Sequence, residues 1–119
     1  MSVIKLSDKF ATFSEQWAPK LVGSVDDYDV KIVKIEGDFV WHEHADADEL
    51  FFVIDGKLRM DFRDRSETVN AGEMIIVPRG VEHKPFAESE CHMMLIERTG
   101  LANTGDGAAS ERTRAPEAI

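Results

Sequence analysis

Short runs in which apolar and polar residues alternate, each closed by a turn, recur along most of this chain. Between Lys57 and Phe62 the alternation is strict: Leu58, Met60 and Phe62 fall on one side of a strand, Lys57, Arg59 and Asp61 on the other, the pattern of a sheet with one buried and one wet face. A β-branched stretch from Val30 to Ile35, an extended run from Phe39 to His44 and a run apolar on both faces from Leu50 to Ile54 precede it. Glu67 to Asn70, Glu73 to Val77 and Cys91 to Glu97 follow, making at least seven strands. Val25-Asp26-Asp27-Tyr28 reads as a hairpin turn. Asp55-Gly56 reads as a type I′ turn folding Leu50–Ile54 back on the Lys57 strand. Strands following one another without intervening helices predict an all-β sandwich or barrel.

The two ends differ from this middle. Ser7 is placed to cap a short helical turn, with Phe10, Phe13 and Trp17 on one side and Pro19 ending it. From Gly100 onward the composition shifts to Gly, Ala, Ser and Thr. Such a tail is ordinarily solvated, but here it is expected to lie against the body. The chain reads as one domain over 1–119: an N-terminal segment and first hairpin over 1–29, a barrel region over 30–99, and an extended tail over 100–119. No internal repeat is present.

The apolar fraction of 43% and charged fraction of 31% are those of an ordinary soluble protein. Fourteen basic residues against 23 acidic ones leave a net charge of −9, which repels nucleic acid and anionic lipid alike. Neither partner is expected; small molecules and metal cations are the easier ones. There is no apolar run long enough to span a bilayer and no secretory signal after Met1. Cys91 is the only cysteine and cannot form an internal disulfide, so a reducing cytoplasm is the expected location.

Three of the four histidines fall in two short segments. In a strand, His42 and His44 share a face about 6.5–7 Å apart, and two imidazoles at that spacing can converge on one ion. After the Ala45-Asp46-Ala47-Asp48 turn, Glu49 opens a strand that is otherwise apolar, where an ionised carboxylate is costly unless paired or metal-bound. Two histidines and a carboxylate on adjacent strands form the facial set that leaves coordination positions open. The turn Pro78-Arg79-Gly80 delivers His83 as a fourth ligand. The expectation is one divalent transition metal per chain on His42, His44, Glu49 and His83, whether iron, manganese, nickel, zinc or copper.

These residues resemble the cupin superfamily. Its first motif reads here Gly37-DFVW-His42-E-His44-ADAD-Glu49-LFFVID-Gly56. The second reads Gly72-EMIIV-Pro78-R-Gly80-VE-His83-KPF-Ala87. The resemblance implies a double-stranded β-barrel, or jelly roll, and carries the metal ligands onto the same four residues. Gly37 stands one residue nearer His42 than the family pattern has it, and Ala87 replaces an asparagine. More narrowly, the chain is similar to small bacterial single-domain cupins labelled phosphomannose-isomerase-like, a label of fold and not of activity.

With His42 and His44 inward, strand parity turns Val40, Phe51 and Val53 inward, and Leu58, Met60 and Phe62 complete an apolar pocket lining. A phosphosugar would need inward Arg or Lys, and the basic residues of the Lys57–Phe62 strand point away. A small neutral or keto-acid ligand fits better. The same parity turns Phe39, Trp41, Leu50, Phe52 and Ile54 outward, too large an apolar face to leave wet. A homodimer is expected to cover it, with the N-terminal segment or the tail as the alternative cover.

Cys91 and His92 are neighbours in a strand and point to opposite faces, so they form no nucleophilic pair. Cys91 reads as a small apolar filler; His92 is an outer-face residue or a neighbour of the ligands, and parity leaves both open. Glu43, Asp46 and Asp48 are solvated turn residues whose field favours a cation at the mouth. Met60, Met74, Met93 and Met94 read as core. The functional expectation is a metal-dependent dioxygenase, isomerase or lyase acting on a small carbonyl or enol compound. The alternative is a metal-anchored binding or sensing module. Glu97 is the candidate for a general base.

Overall fold

In the computed structural model of the chain, residues 1–105 and 113–119 are described. One short helix, α1 (Leu6–Phe10), precedes eight strands: β1 (Lys20–Val25), β2 (Tyr28–Asp38), β3 (Glu49–Asp55), β4 (Lys57–Asp61), β5 (Ser66–Asn70), β6 (Met74–Val77), β7 (Lys84–Arg98) and β8 (Glu117–Ala118). The all-β jelly-roll expectation holds. The sheet runs β5-β4-β7-β2-β1-β8, and β3 lies between β6 and β7.

The fifteen-residue β7 is the spine. β2 pairs with it along one edge, from Tyr28 opposite Arg98 to Asp38 opposite Phe86. On the other edge β3 takes its residues 92–97 and β4 takes its residues 84–86, both antiparallel. β3 and β4 therefore continue in one direction, and the Asp55-Gly56 turn is not the hairpin that dipeptide predicts. Gly56 instead bends the chain from one part of β7 to the next. It adopts φ +89°, and a Cβ there would stand 2.9 Å from the Glu90 carbonyl oxygen and 3.0 Å from Cys91 Cα. Only glycine combines that conformation with that approach. The hairpin predicted at 25–28 does form, joining β1 to β2.

Inward residues of these strands make one core, in which Ile35, Val53, Leu58, Met60 and Cys91 have no exposed surface. The N-terminal helix is shorter than the aromatic spacing suggests. It starts after Lys5 with no side-chain cap, so Ser7 lies inside it. Phe10 stacks on His92 outside the barrel at 4.5 Å, whereas Trp17 leaves the helical path with φ 60° and enters the core, stacked on Phe39. The tail does lie against the body where it is described. Asn103 Nδ2 donates to the Trp17 carbonyl, and β8 adds a parallel strand to β1. The remainder of that expectation, residues 106–112, lies outside the described residues. No helix among the described residues is long and apolar enough to cross a membrane.

Candidate metal centre

Residues 39–48 are not a strand. His42 alone bridges to His83, each donating its backbone N–H to the other's carbonyl at 3.0 and 2.9 Å. Gly80 N–H donates to the His44 carbonyl at 2.8 Å, and Arg79 N–H to Asp48 Oδ1 at 2.9 Å. The turn after β6 is thereby zipped to the loop before β3, and the two motif segments become the two sides of one site. Glu49, at the start of β3, closes it.

The side chains of His42, His44, Glu49 and His83 are all buried, and one ligand atom from each lies within 4.8 Å of the others. His44 Nε2 and His83 Nε2 each stand 3.4 Å from Glu49 Oε1. Neighbouring ligands at about 2.1 Å from a common ion lie about 3–3.4 Å apart, so these two pairs already have the spacing of a shared ion. The tautomers suit it. His42 Nδ1 donates to the Val40 carbonyl and His83 Nδ1 to the Val81 carbonyl, both at 2.9 Å. A carbonyl only accepts, so each Nδ1 carries the proton and each Nε2 keeps a free lone pair. Both nitrogens of His44, His83 Nε2 and Glu49 Oε1 are buried without a hydrogen-bond partner. Orphaned acceptors converging on one point are costly in a metal-free core, and they fit a cation. These four residues could bind a metal ion.

The electrostatics agree. Burial, reinforced by the neighbouring His83, lowers His42 to about 4, which keeps it neutral at physiological pH. Burial alone would raise Glu49, but its contacts with Glu97, His44 and His83 hold it well below the ordinary carboxylate range. His42 is therefore neutral and Glu49 ionised, as ligation requires.

A cavity of about 30 Å³, room for about two water molecules, opens beside His42 and Glu49 between Trp17, Phe39, Phe51, Leu95, Asn103 and Glu97. Of the six side chains expected to line a pocket, Phe51 borders this cavity. Val53, Leu58 and Met60 fill the core, and Val40 and Phe62 pack half-buried against it. Phe39, expected outside, is inside: with no ladder through residues 39–48, strand parity does not apply, and its ring meets His42 edge-on at 5.5 Å. Trp41 is half-buried under the Arg63 guanidinium, 3.9 Å from its ring. Leu50, Phe52 and Ile54 are outward and half-buried as β3 alternates. His92 lies on the outer face, on Phe10 and 3.3 Å from Glu90. Burial pushes the Cys91 thiol up to about 12, so no thiolate is on hand.

Sequence reasoning missed Trp17 and Asn103, which reach the cavity from distant segments, and one inward cation. Lys31 is buried on the inner face of β2 and donates to Glu97 Oε1 at 2.7 Å. Its charge is met by Glu97 and leaves nothing for a phosphate. Glu43 and Asp48 are exposed, as turn residues should be, and Gly105 of the tail packs so closely on Glu43 that a Cβ would strike its carbonyl.

The family model described as the cupin domain matches residues 30–97, which hold both motif segments. The chain belongs to the cupin superfamily. A cupin-2 domain protein from Shewanella frigidimarina NCIMB 400 is 52% identical over 81% of this cupin and 94% of its own chain, with a TM-score of 0.80. The uncharacterized protein YdbB of Bacillus subtilis strain 168 is 33% identical over 67% of this cupin, and the match spans 66% of YdbB, just under two thirds of its length. Hydroquinone 1,2-dioxygenase from Sphingomonas sp. TTNP3 is 17% identical over 77% of this cupin and 71% of its own chain, with a TM-score of 0.67, a likeness of fold.

Proposed function

We propose that this cupin holds one divalent transition metal on His42, His44, Glu49 and His83 and acts there on a small neutral or carbonyl-containing metabolite. The observation that carries the reading is the convergence of four buried ligand atoms, partnerless at three of the residues, on the edge of an apolar cavity. When bound, the metal would supply Lewis-acid polarisation of a ligand oxygen or a position for dioxygen. The chain's own residues do the rest. The Val40 and Val81 carbonyls aim two imidazoles, the aromatic walls exclude water, and Glu97 faces the cavity as a group able to hold a proton.

Dioxygenase, isomerase and lyase chemistry are all open to such a site; one fold neighbour is a hydroquinone dioxygenase. Iron, manganese, nickel, zinc and copper all accept the donor set. A metabolite larger than about two waters must displace part of the wall, to which Trp17 and Asn103 contribute from segments outside the strands. That small cavity also favours a second reading, a metal-anchored module that binds or senses a small molecule without turning it over. Oxygen uptake by the iron form, with product detection by NMR across small hydroxylated and keto compounds, separates the two: turnover supports the enzyme, whereas thermal stabilisation without turnover supports the module.

Exposed Met74 and Ile76 on β6 sit beside Leu50 and Phe52 of β3, with Met94 and Ile96 of β7 beyond. We propose that a second copy of the chain covers this outer face in a homodimer, and that the protein works in the cytoplasm.

A further inference from the structure

Glu49 and Glu97 are direct partners across β3 and β7, and the next inward pairs of the same ladder are Phe51 with Leu95 and Val53 with Met93. An apolar residue would continue that series at position 97. Two carboxyl groups placed opposite each other are instead unfavourable, and both are buried. Lys31 compensates one of them, with its ammonium 2.7 Å from Glu97 Oε1 and both side chains at most 2% exposed. Stability does not account for the arrangement, because a buried ion pair can often be exchanged for well-packed apolar residues at no loss.

The unused atom points to another role. Glu97 Oε2 is buried with no donor bonded to it and borders the cavity together with His42 and Glu49. Glu97 is not one of the converging set, which is His42, His44, Glu49 and His83. Its neighbour there is Glu49, another acceptor, so a hydrogen bond between them exists only while one of the two carries a proton.

We infer that Glu97, held by Lys31, is a positioning residue that orients the Glu49 carboxylate toward the metal. The inference rests on the proposed metal site and extends it by one layer, Lys31 to Glu97 to Glu49. Carboxylate ligands are ordinarily fixed by such outer hydrogen bonds, and losing one weakens metal binding by about 10–100-fold.

The test is zinc affinity by chelator competition at one fixed pH, alongside the melting temperature of the metal-free protein. Lys31→Met/Glu97→Leu should melt near or above the parent when metal-free, yet bind zinc about 10–100-fold more weakly. Glu97→Gln should stay within about threefold of the parent, because the amide can accept from Lys31 and donate to Glu49. Glu97→Asp, which keeps the ion pair but withdraws the carboxyl from Glu49, covers the case in which the double variant does not fold, and it should also weaken binding. Parent-like zinc affinity in the double variant, or in Glu97→Asp, overturns the inference and leaves Lys31–Glu97 as a core ion pair. Equal losses in Glu97→Gln and the double variant overturn it too. If the parent itself binds no zinc, the metal site fails first and the inference with it, a result separate from the others.

Discussion

His83 Nε2 stands 3.4 Å from Glu49 Oε1, and neither atom has a hydrogen-bond partner. Each is fixed from behind: the histidine by the Val81 carbonyl, the glutamate by its place in the β3 ladder. Two buried acceptors aimed at each other would cost about 1–3 kcal/mol each in a metal-free core. A cation held between them would remove that cost.

Metal should therefore stabilise the fold. An ion at one hundred times its dissociation constant adds about 2.7 kcal/mol, or roughly 5–15 °C in melting temperature for a chain of this size. Chelation with verified metal removal at pH 7.5 should lower the melt by that amount. An unchanged melt would mean that the site contributes nothing to stability.

The depressed His42 value predicts a pH dependence in the metal-free protein. Its folded value is about 4 against an ordinary 6.5, so the unfolded chain takes up the proton first as pH falls. The stability due to neutral His42 is complete above 6.5 and is lost between 6.5 and about 4. Between pH 7.5 and 4.5 the parent should lose about 2–3 kcal/mol relative to His42→Gln, which has no proton to gain there. Urea titrations of both proteins at the two pH values check this. A constant difference would show that His42 is solvated.

Much of this site was legible in the sequence because its spacing is local: His42 and His44 two residues apart, Glu49 at a strand start, His83 after Pro78-Arg79-Gly80. What depended on distant partners was not. Asp55-Gly56 has hairpin chemistry, yet its neighbours are Glu90 and Cys91 of β7, which no local pattern reveals. Phe39 was misplaced because parity presumes a ladder, and residues 39–48 have a single bridge. Trp17, Lys31 and Asn103 reach the cavity or its neighbour Glu97 through tertiary packing alone.

Gly56→Ala should be far more harmful than Gly72→Ala. Both glycines have positive φ, but nothing lies within 4 Å of a Cβ at Gly72, whereas at Gly56 it meets backbone at 2.9 Å. Strain alone costs about 1 kcal/mol at Gly72, and strain with steric conflict about 2–4 kcal/mol at Gly56. Equal losses in thermal melts would mean that the corner at Gly56 is looser than described.

The outer face should carry the dimer. Phe52→Lys, or Ile76→Lys beside it, should turn a dimer into a monomer or an insoluble protein in light scattering. A monodisperse parent monomer would show that no second copy covers β3 and β6.

One metal ion on four named residues is the expectation. It is met most directly by elemental analysis of protein purified without an affinity tag, for the parent and for His42→Ala/Glu49→Ala. The parent should carry about one transition-metal ion per chain, and a double variant that still folds far less than one. Full occupancy in the folded double variant, or a metal-free parent that takes up no ion when one is offered, would contradict it.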